Sequence, residues 1–273
     1  YSALCDAGKA LLERGVDHTD EPKIDPEDIA TIIFLSTSLG VELSHRSIMA
    51  NLEGFLPKMT VTDSLEHRWL SVLPFHHAWP TVVGFLYPLL TYATNTVLAT
   101  TKLELMLQQI RDRKIHYVMI VPVLVERLYE TVYLQAKQEG LFEGLQDFAE
   151  APLTEQFERA LKLPGRRERL DATLEGMGLK NLKCIFCAGA HLFLSSAAKF
   201  KALGIDVIDN YGLTETSPII SHSTPTVQRM GAAGRVIHTV EVRIHEPDRY
   251  GNGEICARGG VLFSGYFEDD LEG

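Results

Sequence analysis

Short apolar runs alternate with segments of helical spacing along most of this chain. The runs Ile29 to Leu35, Tyr117 to Val121 and Leu182 to Ala188 are continuously apolar and rich in β-branched residues, which is typical of strands buried on both faces. Leu103 to Arg113 and Pro122 to about Glu139 carry apolar residues at helical spacing, and the second has proline in its first turn. This alternation predicts an α/β fold with a mostly parallel sheet flanked by helices.

Weaker patterns predict the remaining elements. Residues 140–180 are polar, contain glycines and prolines, and are expected to form a helical excursion on the surface. Ser44 and Ser195 are each expected to cap a helix. The other predicted helices are Tyr1 to Arg14 and Thr81 to Thr91, and the other predicted strands are Arg68 to Leu73, Thr96 to Ala99 and Asp206 to Asn210.

The last part of the chain has a different pattern. Glu241 to His245 and Glu254 to Arg258 alternate with period two and are punctuated by glycines, which predicts an antiparallel hairpin. We therefore expect an N-terminal helix and linker at 1–27, an α/β core at 28–225, and a β-rich segment of the same large domain at 226–273.

Composition and charge narrow the class of protein. The 273 residues carry a net charge of −10, which opposes the phosphates of nucleic acid, so no nucleic-acid partner is expected. No apolar run approaches the ~18 residues of a transmembrane segment, and the start of the chain lacks the pattern of a signal peptide. Four cysteines are too few for a disulfide scaffold. We expect a cytoplasmic protein, although an acidic chain can still dock peripherally to a membrane.

Two of these cysteines, Cys184 and Cys187, have the spacing of a redox or metal motif. They lie within an apolar run and have no second pair or histidine nearby, so buried strand cysteines are the favoured interpretation.

Polar residues follow several of the predicted strands. Ser36-Thr37-Ser38, His76-His77-Ala78-Trp79, Gly189-Ala190-His191 and Asp209 to Pro218 all stand at strand ends. Because parallel strands end on the same side of a sheet, these loops are expected to converge on one ligand. Each loop also has a simpler interpretation: a turn, a packing histidine, or a loop capped by threonine.

The segment Tyr211 to Thr216, with the sequence Tyr-Gly-Leu-Thr-Glu-Thr, is the most specific part of the chain. It resembles the adenylate motif of the adenylate-forming enzymes, which include acyl-CoA synthetases, luciferases and the adenylation domains of peptide synthetases. Three more segments resemble motifs of this family in the same order, namely Leu43 to Asn51, Cys187 to Leu192 and Gly253 to Tyr266.

Within that family, the segment from His77 to Pro80 and the helical excursion look most like long-chain fatty acyl-CoA synthetases. The resemblance implies a fatty acid as substrate, ATP and Mg²⁺ as cofactors, and coenzyme A as co-substrate. The acid would attack the α-phosphate of ATP to give an acyl-adenylate, and a thiol would then displace AMP.

The resemblance also implies roles for individual residues. Thr214 would hydrogen-bond the α-phosphate, Glu215 would bind Mg²⁺, and His77 would lie near the acyl carboxylate. Trp79, Val83 and Gly84 would line or gate an acyl tunnel. The residues implied to hold the nucleotide are Ser36, Thr37, Ser38, Gly189, Ala190, His191, Asp209, Asn210, Tyr211, Gly212 and Thr214.

The sequence departs from the family pattern in two places. About half a dozen residues of the phosphate loop are missing after Ser38, and we expect that loop to be disordered rather than deleted. The mobile lid with its catalytic lysine has no counterpart here, so we expect a large-domain fragment that is inactive alone. Two alternatives stay open: an enzyme that loads a carrier-protein thiol, and a non-catalytic module that binds ATP or an acyl group.

Overall fold

The structure, a computed structural model, describes residues 2–16, 23–55, 66–144, 152–192, 194–224 and 232–267. The predicted linker and helical excursion lie partly outside these ranges. The α-helices are α1 Ser2–Glu13, α2 His45–Phe55, α3 Ala78–Thr81, α4 Tyr87–Leu90, α5 Leu103–Asp112, α6 Pro122–Gln138, α7 Leu153–Leu161, α8 Arg166–Gly176 and α9 Leu194–Ala202. The strands are β1 Ile29–Phe34, β2 Gly40–Ser44, β3 Arg68–Ser71, β4 Thr94–Val97, β5 Tyr117–Ile120, β6 Cys184–Cys187, β7 Asp206–Tyr211, β8 Ser221–His222, β9 Arg235–Val236, β10 Val240–His245, β11 Glu254–Gly259 and β12 Gly265–Phe267.

A seven-stranded sheet forms the centre of the described fold, in the order β4-β3-β5-β6-β7-β8-β9. The five strands from β4 to β7 pair in parallel, and β8 and β9 continue the sheet in antiparallel fashion. The α/β class with a mostly parallel main sheet is thus confirmed. β5 and β6 are buried along their whole length, as continuous apolar runs predict.

Hydrophobic clusters cover both faces of this sheet. On one face Val118 and Ile185 pack with residues of α5 to α9. On the other face Trp69 stacks on Phe186, with ring centroids 5.0 Å apart, and α2 packs beside them. The helical excursion belongs to the first cluster, because Phe157 and Leu170 are fully buried. The prediction of a surface excursion is therefore wrong for α7 and α8.

β1 does not belong to the parallel sheet, and this prediction is wrong. It pairs antiparallel with β2, and β12 completes a separate three-stranded sheet. Its burial is also less than its apolar sequence predicts, since Ile29 is 41% and Phe34 58% exposed. The register joins Phe34 to Gly40, and the Leu35 N–H donates to the Leu39 carbonyl at 2.9 Å. Ser38 and Leu39 both lie in the short connection of this hairpin.

Several other elements were predicted from local sequence patterns, and the structure agrees with some of these predictions. The Ser44 hydroxyl accepts from the Ser47 N–H at 3.2 Å and caps α2 as predicted. The hairpin of β10 and β11 is confirmed. Helix α9 begins at Leu194, one residue before the predicted cap Ser195. The predicted helix from Thr81 to Thr91 is instead α3, a π-helical turn at Val82–Leu86, and α4.

Candidate adenylate site

A cavity of about 440 Å³ opens at the carboxyl ends of the parallel strands, within the size range of small-molecule sites. The ends of β3, β5, β6 and β7 all contribute to its wall. Its lining residues are Leu73, Pro74, His77, Ala78, Trp79, Pro80, Val121, Ala188, Gly189, Asn210, Tyr211, Gly212, Leu213, Thr214, Pro218 and Ile219. The structure therefore brings the loop after β3 together with the loops after β6 and β7.

The loop from Tyr211 to Thr216 folds tightly against the backbone that follows it. A Cβ atom on Gly212 would lie 1.8 Å from the Pro218 carbonyl oxygen, so only glycine fits there. The Leu213 N–H donates to the Thr216 hydroxyl at 3.0 Å, and that hydroxyl donates to the Leu213 carbonyl. Thr216 is thus a turn-forming residue, and Thr214 is left on the cavity wall.

Asn51 ties helix α2 to this loop, and the sequence analysis gave it no role. Its Nδ2 donates to the carbonyls of Thr216 at 3.0 Å and Ile219 at 2.8 Å, and the residue is fully buried. A polar residue beside Leu52 on an apolar helix face was the signal that could have revealed it.

Asn210 lines the cavity and carries a buried acceptor atom that has no partner within the described part of the chain. Its Nδ2 donates to the Cys187 carbonyl at 3.2 Å, which fixes the side chain between β6 and β7. Its Oδ1 is buried and has no hydrogen-bond partner among the described residues. A buried acceptor without a partner is costly, so this atom suits a ligand that brings an N–H donor.

Of the other residues that the resemblance assigns to the nucleotide, some line the cavity and some do not. Gly189 lines the cavity with φ +87°, a backbone conformation that favours glycine. Ala190 and His191 are exposed and are not among the lining residues. Asp209 also lies outside the lining, and its backbone N–H donates to the Ser223 hydroxyl at 2.9 Å. Burial raises the pKa of Asp209 to about 6, against the lowering effects of the Asn210 N–H and His191.

His77 and Trp79 form the opposite wall. Partial burial lowers the pKa of His77, and the neighbouring His76 imidazole lowers it further, so the ring tends to be neutral at pH 7. The Thr81 hydroxyl donates to the carbonyls of Phe75 and His77 and closes the turn that carries this histidine. Trp79 is 9% exposed and contributes apolar surface.

Val83 and Gly84 lie in the core rather than on the cavity wall. Val83 is fully buried. The Gly84 carbonyl accepts from the Ser71 hydroxyl at 2.7 Å and from Asn95 Nδ2 at 2.6 Å. A Cβ on Gly84 would meet the Met119 Cε at 2.2 Å. These two residues are therefore packed within the described core and are not part of the cavity lining.

Glu215 lies beside the cavity and contacts the C-terminal strand. Its backbone carbonyl accepts from the Phe263 N–H at 2.9 Å, and its Oε1 accepts from the Tyr266 hydroxyl at 3.1 Å. Among the described residues, no group of three or more His, Cys, Asp or Glu side chains could hold a metal ion. A lone carboxylate fits Mg²⁺ that arrives with phosphates, because this ion usually takes one or two protein carboxylates.

Ser36, Thr37 and Ser38 form the turn between β1 and β2 and do not line the cavity. They connect two strands of the antiparallel sheet, so they are not at the carboxyl end of a parallel strand and are not brought to the site in that way.

The cysteine interpretation is confirmed. Cys184 and Cys187 are buried free thiols, and burial raises the pKa of both.

The family of the chain follows from its sequence. A sequence model of the AMP-binding enzyme family matches residues 3–267, so the chain belongs to that family. The resemblance drawn from the motifs is confirmed.

Similar proteins include several acid–CoA ligases. Long chain acyl-CoA synthetase 7, peroxisomal, of Arabidopsis thaliana is 26% identical, across 99% of this chain and 39% of that protein. 4-coumarate-CoA ligase 2 of Narcissus pseudonarcissus is also 26% identical, across 92% of this chain and 40% of its own length. The chain thus spans about 40% of the length of these relatives.

A similar solved structure is the o-succinylbenzoate coenzyme A synthetase of Bacillus subtilis in complex with ATP and magnesium ion. It matches with a TM-score of 0.64 and 18% identity, across 92% of this chain and 46% of that one. This likeness supports the fold.

Among the described residues, no helix is both long and apolar enough to cross a membrane.

Proposed function

We propose that this protein activates a fatty acid with ATP and transfers the acyl group to coenzyme A. The observation that carries the proposal is the cavity itself. Its wall joins the loop from Tyr211 to Thr214 to the opposing segment from His77 to Pro80. One side offers a ring, an amide and a hydroxyl, whereas the other side is mainly apolar. An adenylate with an apolar acyl group has the same two-sided chemistry.

The polar side of the cavity suits the nucleotide. Tyr211 stacks on adenine, and the unused Oδ1 of Asn210 accepts from its amino group. The Thr214 hydroxyl donates to the α-phosphate. Glu215 would hold Mg²⁺ through its carboxylate, and the ion would supply positive charge that neutralises the phosphates.

The apolar side suits the acyl chain. Trp79, Leu73 and Val121 supply its surface. His77 at the rim tends to be neutral, so it can donate an N–H to the acyl carboxylate without fixing that carboxylate in a strong ion pair. These residues hold the carboxylate near the α-phosphate for in-line attack, which is catalysis by positioning.

The decisive experiment measures, in the full-length protein, ATP–pyrophosphate exchange that depends on the acid. Glu215→Gln keeps the shape of the side chain but removes its charge, so exchange should fall at least about hundredfold. Glu254→Gln on the exposed hairpin is the matched control and should exchange normally. Near-normal exchange by Glu215→Gln would refute the metal role of this residue.

The acyl specificity has its own test. Trp79→Ala removes a large ring from the apolar wall and so enlarges the cavity. We therefore expect this variant to prefer a different fatty-acid chain length. An unchanged preference across a series of fatty acids counts against a fatty acyl group in this cavity.

Two alternatives have specific support. A long-chain-fatty-acid–[acyl-carrier-protein] ligase of Arabidopsis thaliana is 21% identical to this chain, which supports a carrier-protein thiol as acceptor. Product formation with free coenzyme A distinguishes the two acceptors. The short turn at Ser36 to Ser38 supports the second alternative, a non-catalytic adenylate-binding module, and the exchange assay tests it.

We place the protein in the cytoplasm with peripheral membrane docking, which vesicle flotation checks.

A further inference from the structure

We propose that Tyr266 is a positioning residue that holds the Glu215 carboxylate in the orientation that binds Mg²⁺. The Tyr266 hydroxyl donates to Glu215 Oε1 at 3.1 Å, across 51 positions of the chain. The inference rests on the proposed function, since it assumes that Glu215 binds the nucleotide-associated cation.

The hydrogen bond leaves half of the carboxylate available. A carboxylate offers about four lone-pair sites on two oxygens, and Tyr266 uses one of them on Oε1. Oε2 carries no hydrogen bond from another described residue. The phenol therefore fixes the side-chain rotamer of Glu215 and leaves an oxygen for the ion.

The direction of the phenol is set by backbone contacts on both sides of it. The Phe263 N–H donates to the Glu215 carbonyl at 2.9 Å, and the Ser264 N–H donates to the Glu42 carbonyl at 2.9 Å. Tyr266 itself pairs with Val41 in the three-stranded sheet. Strand β12 thus joins that sheet to the turn that carries Glu215, and Tyr266 projects from this junction.

The aromatic ring of Tyr266 makes a second contact, and its effect must be distinguished from that of the hydroxyl. It packs edge-on against Phe263, with ring centroids 4.8 Å apart.

The test measures how the affinity for ATP depends on Mg²⁺, by calorimetry with the purified protein. Tyr266→Phe removes only the hydroxyl, and we expect it to raise the Mg²⁺ concentration needed for half of the effect about tenfold. Mn²⁺ binding in the presence of ATP, followed by electron paramagnetic resonance, should weaken by the same factor. Tyr250→Phe is the control, because Tyr250 is 72% exposed on the distant hairpin.

The variants separate three outcomes. If Glu215→Gln abolishes the Mg²⁺ effect and Tyr266→Phe weakens it, the inference stands. If Glu215→Gln abolishes it but Tyr266→Phe matches the wild type, the inference fails and the proposed metal site survives. If Glu215→Gln itself matches the wild type, both fail. Tyr266→Leu should behave like Tyr266→Phe, and a defect in Leu alone would assign the effect to the ring contact instead.

Discussion

Gly212 shows how far a single residue determines the site. Its neighbour across the turn is the Pro218 carbonyl, which a Cβ would approach to 1.8 Å. Gly212→Ala must therefore displace backbone, and we expect the free energy of unfolding to fall by about 2–4 kcal/mol. Urea unfolding measures this loss.

Gly176→Ala provides the matched control for that loss. Gly176 ends α8 and has no atom within 4 Å of an added Cβ, so alanine should be neutral or slightly stabilising there. Equal losses in both variants would mean that the close approach at Gly212 does not matter.

Asp209 gives a pH dependence of known sign. Its pKa is raised to about 6 from an ordinary value of 3.8, chiefly by burial, so the folded state holds the proton more tightly. The native state should therefore lose stability as the pH rises from about 4 through about 6. Asp209→Asn mimics the protonated form, and its advantage over the wild type should reach about 1 kcal/mol above pH 7 after solvent screening.

The control for Asp209 is an aspartate with the opposite shift. The pKa of Asp248 is lowered, first by the Asn252 N–H and then by the Tyr250 N–H. Asp248→Asn should therefore cost stability at neutral pH and lose that effect in acid. If the Asp209→Asn difference did not change with pH, burial of this carboxyl would be disproved.

Sequence reasoning at the residue scale succeeded where the signal is local. Ser44 caps α2 through a contact three residues away, and such contacts can be read from the order of residues. The bonds of Asn51 and Tyr266 span 165 and 51 positions, so no local pattern specifies them. The motif singles out Glu215 as a candidate, but no local pattern indicates the phenol that contacts it.

At the scale of elements, the α7–α8 segment is the clearest difference between sequence and structure. Its polar composition hides a few fully buried side chains, and the ring of Phe157 lies 5.0 Å from that of Phe142. Phe157→Ala should therefore lower the free energy of unfolding by about 3–5 kcal/mol.

A neighbouring apolar residue tests whether that loss comes from burial. Leu163 follows α7 and is 38% exposed, so Leu163→Ala should cost less than about 1 kcal/mol when it and Phe157→Ala are compared by thermal unfolding. A small loss for Phe157→Ala would restore the interpretation of a surface excursion.

The same scale explains the misassigned strand. β1 has the apolar run of a central parallel strand, but apolar composition does not reveal the pairing partner. Its partner β2 follows after a short turn, and adjacent strands joined by a short turn pair antiparallel. The residues of that turn, Ser36 to Ser38, were expected at the cavity partly because β1 was assigned to the parallel sheet, and they do not line it.

At the scale of the whole molecule, the position of this turn decides how much of a nucleotide the chain can hold. On the proposed function, the cavity residues would hold adenine and the α-phosphate, whereas the β1–β2 turn is closed by the Leu35–Leu39 hydrogen bond and lacks a glycine-rich loop. Each charge-assisted hydrogen bond to a phosphate contributes about 1.5–3 kcal/mol. Without a loop that supplies several such bonds, ATP should gain little over AMP.

We therefore expect ATP and AMP to bind within about tenfold of each other when Mg²⁺ is absent, which is a difference below about 1.4 kcal/mol. Calorimetry with each nucleotide measures it. Insertion of a glycine-, serine- and threonine-rich loop between Ser38 and Leu39 should raise the affinity for ATP but not for AMP, because only ATP has terminal phosphates for the loop to bind. The protein should tolerate the insertion, because longer surface loops cost little stability. If the unaltered protein prefers ATP more than about hundredfold, other residues must hold the terminal phosphates, and the short turn does not limit the site.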